Sequence, residues 1–571
     1  MSVQWYKDIA FYQIWPRSFA DGNGDGIGDL YGVYDKLEYI HSLGIGGIWF
    51  SPLYASPQAD YGYDIADYYN INPEYGDMDI FRKVLDKAHS MGMKVIMDLV
   101  VNHTSDEHEW FKKSRDKSSP YYNYYFWRKG RPGGKMPNNW DSVFSGKAWE
   151  YDKEMDEYYL HVFDKKQVDL NMDNPAVRKE VTDIMRYWLD IGVDGFREDV
   201  ITFISKPEGL RSDILPFMHG LRYYMNGPHL QEYLSQFRTE VLDKYDCFVV
   251  GEAPMMTPKK ALKFVDERRA SHELDMMFHF QHMEADCLFT EYMPMPFSLR
   301  KLKKAWTRWQ KALGGIGWNA LYIENHDHAR IISRYGSEKY RVESGKMLAC
   351  SYLFQQGTPF VYQGQEIGMT NIMLDSIDQY KDCMAINHYA RDCRKGHNQK
   401  AFDRIRKATR DNSRTVMQWS GEKNGGFSEC QPWFAVNPNY TQINVAAQEK
   451  NQDSLLNFYR AVLKYRTASD IVRHGSYTEY YKGSRKLYVY GREYEGKRLL
   501  VICSFTEKRA RFRLPEGFDS KGANLIFGNY PEQTLSGGGF TTRPYEVRVY
   551  EFSYNPKHMH VDKRIQAFKF K

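Results

Sequence analysis

The sequence predicts an α/β protein: a (β/α)8 TIM barrel with a loop-rich insertion after its third strand and a C-terminal antiparallel β domain. Three observations carry this. One unit recurs through the first half of the chain, an amphipathic helix, a glycine stop, a short apolar strand and then polar residues. Eight apolar stretches of strand length alternate with helical segments, and no glycine-rich phosphate loop follows the first, so a closed parallel barrel is expected rather than an open sheet. Beyond about residue 475 the helical spacing stops and alternating apolar runs take over.

The strands are expected at 10–14, 48–50, 94–101, 192–201, 247–250, 276–278, 320–323 and 359–362. Val33, Leu37, Ile40 and Leu43 have helical spacing before Gly44. Ile80, Val84, Leu85 and Ala88 repeat the pattern before Gly92. In the third copy Asn174 is a good N-cap, Pro175 suits the first helical position, and Val177, Val181, Ile184, Met185 and Trp188 line one face before Gly192. Between His103 and Asn174 this grammar breaks: Tyr121 to Trp127, the Gly/Pro turn at 130–134, Trp140 and Trp149 read as an excursion from one barrel face. The barrel is assigned to 1–103 and 174–474, the insertion to 104–173, and the terminal β domain to 475–571, with Glu495-Gly496 as a hairpin turn.

Composition narrows the function. The formal charge is +5, from 78 basic and 73 acidic residues, a near balance that gives no reason to expect nucleic acid. The cluster Arg300, Lys301, Lys303, Lys304 runs into Trp306, Trp309 and Leu313 and reads as the solvated face of an amphipathic helix; the tail 557–571 is basic but short. Seven scattered cysteines without a Cys-x-x-Cys suggest neither zinc nor a disulfide framework and fit a reducing cytoplasm. With no signal-like stretch at 1–13 and no run long enough to span a bilayer, a soluble, cytoplasmic, monomeric protein is expected. Aromatic content is 16%, with 44 Tyr, which suits sugar-stacking surfaces and a large core alike.

In a barrel, residues just after the strands share one face, where chemistry sits. Here they are Asp98, Asn102 and His103, then Arg197 and Asp199, then Glu252, then His326 and Asp327. Arg197 and Asp199 are two apart on a strand and so face one space, where the cation holds the carboxylate ionised. Carboxylates and histidines gathered at strand ends read as a glycosidase constellation.

The sets Asp98-Leu-Val-Val-Asn-His103, Gly195-Phe-Arg-Glu-Asp-Val200, Val250-Gly-Glu252 and Glu324-Asn-His-Asp327 resemble the signature regions of the α-amylase superfamily, glycoside hydrolase family thirteen. The stretches Gln13 to Phe19, Asp60 to Asp64, Gln167 to Asn171, 357–368 and Asp411 to Trp419 extend the match over nearly the whole chain, toward the oligo-1,6-glucosidase and isomaltase branch. The resemblance implies Asp199 as nucleophile, Glu252 as general acid/base and Asp327 as the carboxylate holding the sugar hydroxyls, with Arg197 beside only the nucleophile so that the two pKa values separate. It further implies that Asp60, His103, His326 and Arg414 grip a terminal glucose, that Tyr63 stacks beneath it, and that Phe163 walls the pocket. Val200 would sit at the floor of the leaving-group site and favour α-1,6 links. The expected substrate is a small oligosaccharide, and catalysis would need no cofactor.

The loop Asp21 to Asp29 places oxygens at alternate positions, Asp21, Asn23, Asp25 and Asp29, with Ile27 between. Gly32 stands where an EF-hand has its bidentate Glu, so this is no EF-hand; the resemblance implies a structural Ca²⁺ or Mg²⁺. Glu198 is expected to point away from the pocket by strand alternation, and His328 and Val416 depart from the family pattern, which bears on aglycone preference. Three alternatives compete: a sucrose isomerase or transglucosylase, disfavoured because Gln281 to Asp286 lacks an arginine-rich loop; a trehalose-6-phosphate hydrolase; and a non-enzymatic transporter heavy chain, which would have a membrane anchor and fewer carboxylates.

Overall fold

The computed structural model describes residues 4–552 except 395, 397 and 532–534. The basic tail 557–571 and the first three residues of the amino-terminal stretch lie outside the described residues. Eight parallel strands form the central sheet: β1 (Phe11–Ile14), β2 (Gly47–Phe50), β3 (Lys94–Leu99), β4 (Gly195–Glu198), β5 (Phe248–Glu252), β6 (Met276–Phe278), β7 (Ala320–Leu321) and β8 (Thr358–Tyr362). They pair in chain order, with β8 returning to β1, which makes a TIM barrel closed except between β6 and β7. β1, β3, β4 and β7 are shorter than the apolar runs that predict them, β2, β5 and β8 are one residue longer, and β6 matches.

Local chemistry explains the third repeat. Asn174 caps the helix Pro175–Ile191 through its side chain, which accepts from the Ala176 N–H, and Gly192 ends it with φ 112°. Its buried face, Val177, Val181, Ile184, Met185 and Trp188, packs in the layer around the barrel. The first repeat differs from expectation: it is two short helices, Leu30–Asp35 and Leu37–Ser42, broken at Lys36.

The excursion after β3 holds a small antiparallel sheet of Trp127–Arg128, Trp149–Asp152 and Glu157–Leu160. Its exit strand, Gln167–Asp169, pairs antiparallel with His103–Ser105 and so ties the excursion to the end of β3. At the other end of the chain, β9 (Ser476–Tyr480), β10 (Leu487–Tyr494), β11 (Lys497–Ser504), β12 (Ala523–Gly528) and β13 (Val547–Phe552) form an antiparallel sheet in the order 9-10-11-13-12. Glu495 and Gly496 turn β10 into β11, both with positive φ, as a two-residue hairpin requires.

Within the cationic helix Leu299–Leu313, Lys303 is not on a solvated face. Its ammonium is buried and donates to the carbonyls of Tyr481, Ser484 and Leu487, binding the barrel to the terminal domain. Among the described residues no helix is long and apolar enough to cross a membrane, and all seven cysteines are free.

Candidate active site

A cavity of about 650 Å³ opens on the carboxyl ends of the strands, in the usual size range for small-molecule sites. Asp60, Tyr63, His103, Phe163, Asp199, Val200, Glu252 and Asp327 all line it. Arg197, His326 and Arg414 stand one layer behind, fully buried, where they orient the residues in front.

At the floor, Arg197 does more than its two-residue spacing from Asp199 suggests. It donates to Asp199 and to Asp98, each at 2.6 Å, and lies 2.8 Å from Glu252. The expectation that it stands beside only the nucleophile is therefore corrected: β3, β4 and β5 are adjacent, so one guanidinium bridges a carboxyl from each. Burial pushes both Asp98 and Asp199 up, Asp98 to about 6, while Arg197 pulls each down. Arg197 is thus what favours the ionised form of Asp98 and of Asp199 against burial, and its contact keeps a carboxylate available as nucleophile.

Val200 follows the nucleophile with φ 36° and ψ 39°, a left-handed conformation that a β-branched residue takes only under constraint. The turn aims its N–H at Glu252, 3.0 Å away, so that the residue after one carboxylate holds the other.

Asp327 has a different environment. Burial alone would raise it, but His326 at 3.1 Å, Arg414 at 3.2 Å and Arg410 at 3.6 Å hold it well below the usual carboxylate range. His326 is fixed between the Gln13 amide at 2.7 Å and the Tyr63 hydroxyl at 2.6 Å, and burial lowers it to about 4, so it is neutral. The Tyr63 hydroxyl donates to Asp98, and its ring stacks nearly parallel to that of His326. His103, likewise lowered to about 4 by burial, contacts the Tyr63 carbonyl and the Gln167 amide. Phe163 packs against His103, Phe144 and Phe203 and forms an apolar wall.

Arg410 is the main residue that sequence reasoning missed. It lines the cavity and joins Asp60 at 2.9 Å and Asp382 at 2.8 Å while facing Asp327. The available signal was its place one residue before the Asp411 to Trp419 stretch. Asp382 and Glu291, which pairs with His328 at 2.6 Å, stand in no motif and left no signal.

As expected, Glu198 faces away from the pocket, yet it is fully buried. Burial raises it to about 8 against the pull of Arg238, and one of its oxygens has no hydrogen-bond partner.

In the Asp21 to Asp29 loop, Asp21 accepts from the Gly24 and Gly26 N–H groups, Asn23 from Asp25, Asp25 from Ile27, and Asp29 from Gly22, Asn23 and Gly32. Among the described residues no group of three or more His, Cys, Asp or Glu is arranged to hold a metal. The oxygens here are hard donors of the kind Ca²⁺ and Mg²⁺ take, and each is partly committed to backbone.

Residues 13–475 match the model of the alpha-amylase catalytic domain. The chain is 47% identical over 561 residues to the oligo-1,6-glucosidase of Parageobacillus thermoglucosidasius, covering 96% of this chain and 99% of that protein. Among solved structures it is similar to the trehalose-6-phosphate hydrolase of Bacillus licheniformis, with TM-score 0.92, 42% identity and coverage of 96% of this chain and all of that one. It is also similar to a trehalulose synthase, with TM-score 0.91, 36% identity and the same coverage. The chain belongs to the alpha-amylase family of glycoside hydrolases.

Proposed function

We propose that this enzyme is a retaining, exo-acting α-glucosidase that removes terminal α-1,6-linked glucose from isomaltose and short isomalto-oligosaccharides. What supports this is that Asp199 and Glu252 both line the cavity and both contact one guanidinium, at 2.6 and 2.8 Å, the two carboxyls that a double displacement uses. Asp199 attacks the anomeric carbon and forms a glucosyl ester while Glu252 gives its proton to the leaving oxygen. Glu252 then takes a proton from water as that water displaces Asp199. Asp327, held ionised, binds the hydroxyls of the distorted ring; Asp60, His103 and Arg410 hold its far side, with Tyr63 beneath it and His326 and Arg414 as supports. The three carboxylates need no cofactor.

The trehalose-6-phosphate reading meets an electrostatic objection. The cations on the cavity wall already have partners: Lys147 pairs with Asp141 at 2.7 Å, Arg391 with Asp392 at 3.0 Å, and Arg410 with Asp60. His388 on the same wall is lowered to about 4 by burial. Among the described residues that wall offers a phosphate dianion no uncommitted counter-charge, whereas a neutral disaccharide needs none. The isomerase and transglucosylase reading lacks its arginine-rich loop.

We also propose a structural Ca²⁺ or Mg²⁺ held by Asp21, Asn23, Asp25, Asp29 and the Ile27 carbonyl, and a monomeric, cytoplasmic enzyme. The test of function is proton NMR of the hydrolysis products. Isomaltose should be cleaved faster than maltose, with α-glucose appearing first, and trehalose 6-phosphate should be poor. Val200→Thr should move the isomaltose-to-maltose ratio of kcat/KM toward maltose by roughly ten- to two-hundredfold, because a hydroxyl replaces a methyl on the leaving-group floor. Initial β-glucose, or an unmoved ratio, would overturn the respective assignment.

A further inference from the structure

Backbone hydrogen bonds lace the barrel everywhere except at one seam. β6 ends at Phe278 and β7 begins at Ala320, and among the described residues no ladder joins them. Side chains cross the seam instead. The Tyr322 hydroxyl donates to the His279 carbonyl at 2.9 Å, and His282 Nε2 lies 2.8 Å from the Tyr322 carbonyl. Beside these links is a small cavity of about 10 Å³, which shares no lining residue with the active-site cavity. That is close to the volume one water molecule needs.

His279, His282, Asn319 and Gln355 line this cavity and are all buried. Each carries a polar atom without a partner among the described residues: His279 Nδ1, His282 Nδ1, Asn319 Nδ2 and Gln355 Oε1. Buried polar groups nearly always have partners, so four such atoms around one cavity point to a guest that supplies them.

The four atoms dictate what the guest is. Gln355 Nε2 donates to the Ser351 carbonyl and the Tyr488 hydroxyl, which leaves Oε1 as an acceptor. His282 Nε2 faces a carbonyl and so carries the ring hydrogen, which leaves a bare lone pair on Nδ1. Asn319 Nδ2 only donates, and His279, stacked on Trp309 at 4.0 Å, offers an N–H at Nδ1. Burial lowers both imidazoles, His282 to about 3, so all four side chains are neutral. A cation would meet two N–H groups and an anion two lone pairs. A neutral molecule with two donors and two acceptors satisfies every one.

We propose that this cavity is the permanent site of one water molecule, which donates to His282 Nδ1 and Gln355 Oε1, accepts from Asn319 Nδ2 and His279 Nδ1, and so joins β6 to β7 where the ladder does not. β7 leads into His326 and Asp327, so the water steadies the strand that delivers the third carboxylate of the active site.

The test is the sign of two substitutions, read beside a direct view of the site. Asn319→Leu and His279→Phe each remove one of the four polar atoms at nearly constant volume. With the water in place each strips it of a hydrogen bond, and the backbone amides of 318–323 should exchange with deuterated solvent roughly tenfold faster than in the wild type, while those of β11 keep their rate. Without a water each substitution only deletes an unpaired buried group, so slower or unchanged exchange in both variants overturns the proposal. A high-resolution crystal structure of the wild type should show one water-sized peak within hydrogen-bonding distance of at least three of the four atoms. A missing peak, or one whose anomalous signal places a metal ion on the imidazoles, overturns it whatever the variants do.

Discussion

Glu198 shows how far alternation along one strand decides function. Arg197 and Asp199 face the pocket, and the carboxyl between them is turned outward into the packed layer, where one oxygen finds no donor. Burial raises its pKa from 4.5 to about 8, so the folded chain holds a proton there that the unfolded chain has released. The sign follows from linkage: this contribution to stability is fully present below pH 4.5 and declines as pH rises toward 8. Glu198→Gln should therefore stabilise the protein progressively across that window, by on the order of 4 kcal/mol at its alkaline end relative to its acid end. Urea denaturation of both proteins at acid and alkaline pH measures it; parallel stability curves would show that Glu198 ionises normally. The same residue marks the limit of what the sequence discloses. Strand period two tells which side Glu198 faces, but not that one of its oxygens meets no donor there. Likewise Arg197 and Asp199 are visible as neighbours, whereas the grip of Arg197 on Glu252 depends on β4 and β5 pairing, a contact between residues far apart in sequence.

Elements with their own local chemistry were the most readable. Asn174-Pro175 and Gly192 bracket their helix because cap and stop act within one turn, and Glu495-Gly496 forms the β10–β11 hairpin for the same reason. Lys303 was misread because helical spacing separates polar from apolar faces but not solvent from a neighbouring domain; its partners lie some 180 residues downstream. The Asp21 to Asp29 loop tests how much an element does alone. Its side chains already order the backbone: Asp29 caps the helix Leu30–Asp35 and also accepts from Gly22 and Asn23. A bound ion would add stability without touching substrate, because the loop is absent from the cavity wall. Chelation should then lower Tm while activity at a temperature well below the transition persists, and Asp21→Ala should abolish that dependence on metal. Identical Tm with and without chelator in the wild type would make the loop a self-sufficient turn.

At the scale of the molecule, three segments far apart in sequence meet behind the pocket on one buried cation. Lys206, in the segment after β4, is fully buried, with its ammonium 2.6 Å from Asp169 of the excursion and 2.8 Å from Asn102 beyond β3. Asp169 in turn accepts from the Val162 N–H, and Asn102 contacts His103, which lines the cavity. The repeat grammar predicts that the excursion leaves the barrel's catalytic face, but this clamp has no periodic signature, since a single Lys, Asn and Asp meet only after folding. Its energetics make a sharp prediction. Replacing one partner of a buried pair leaves the other charged and unpaired, a loss of about 3–5 kcal/mol, whereas replacing both with apolar groups of similar size is often close to neutral. Lys206→Met should thus destabilise strongly and raise KM more than it lowers kcat, because the wall carrying His103 and Phe163 loosens while Asp199 and Glu252 stay on their strands. Adding Asp169→Leu should recover much of the stability lost. Urea denaturation and steady-state kinetics of the single and double variants decide the matter: equal stability of Lys206→Met and wild type would mean the clamp is incidental, and a fall in kcat at constant KM would mean that it acts on the chemistry rather than on the wall.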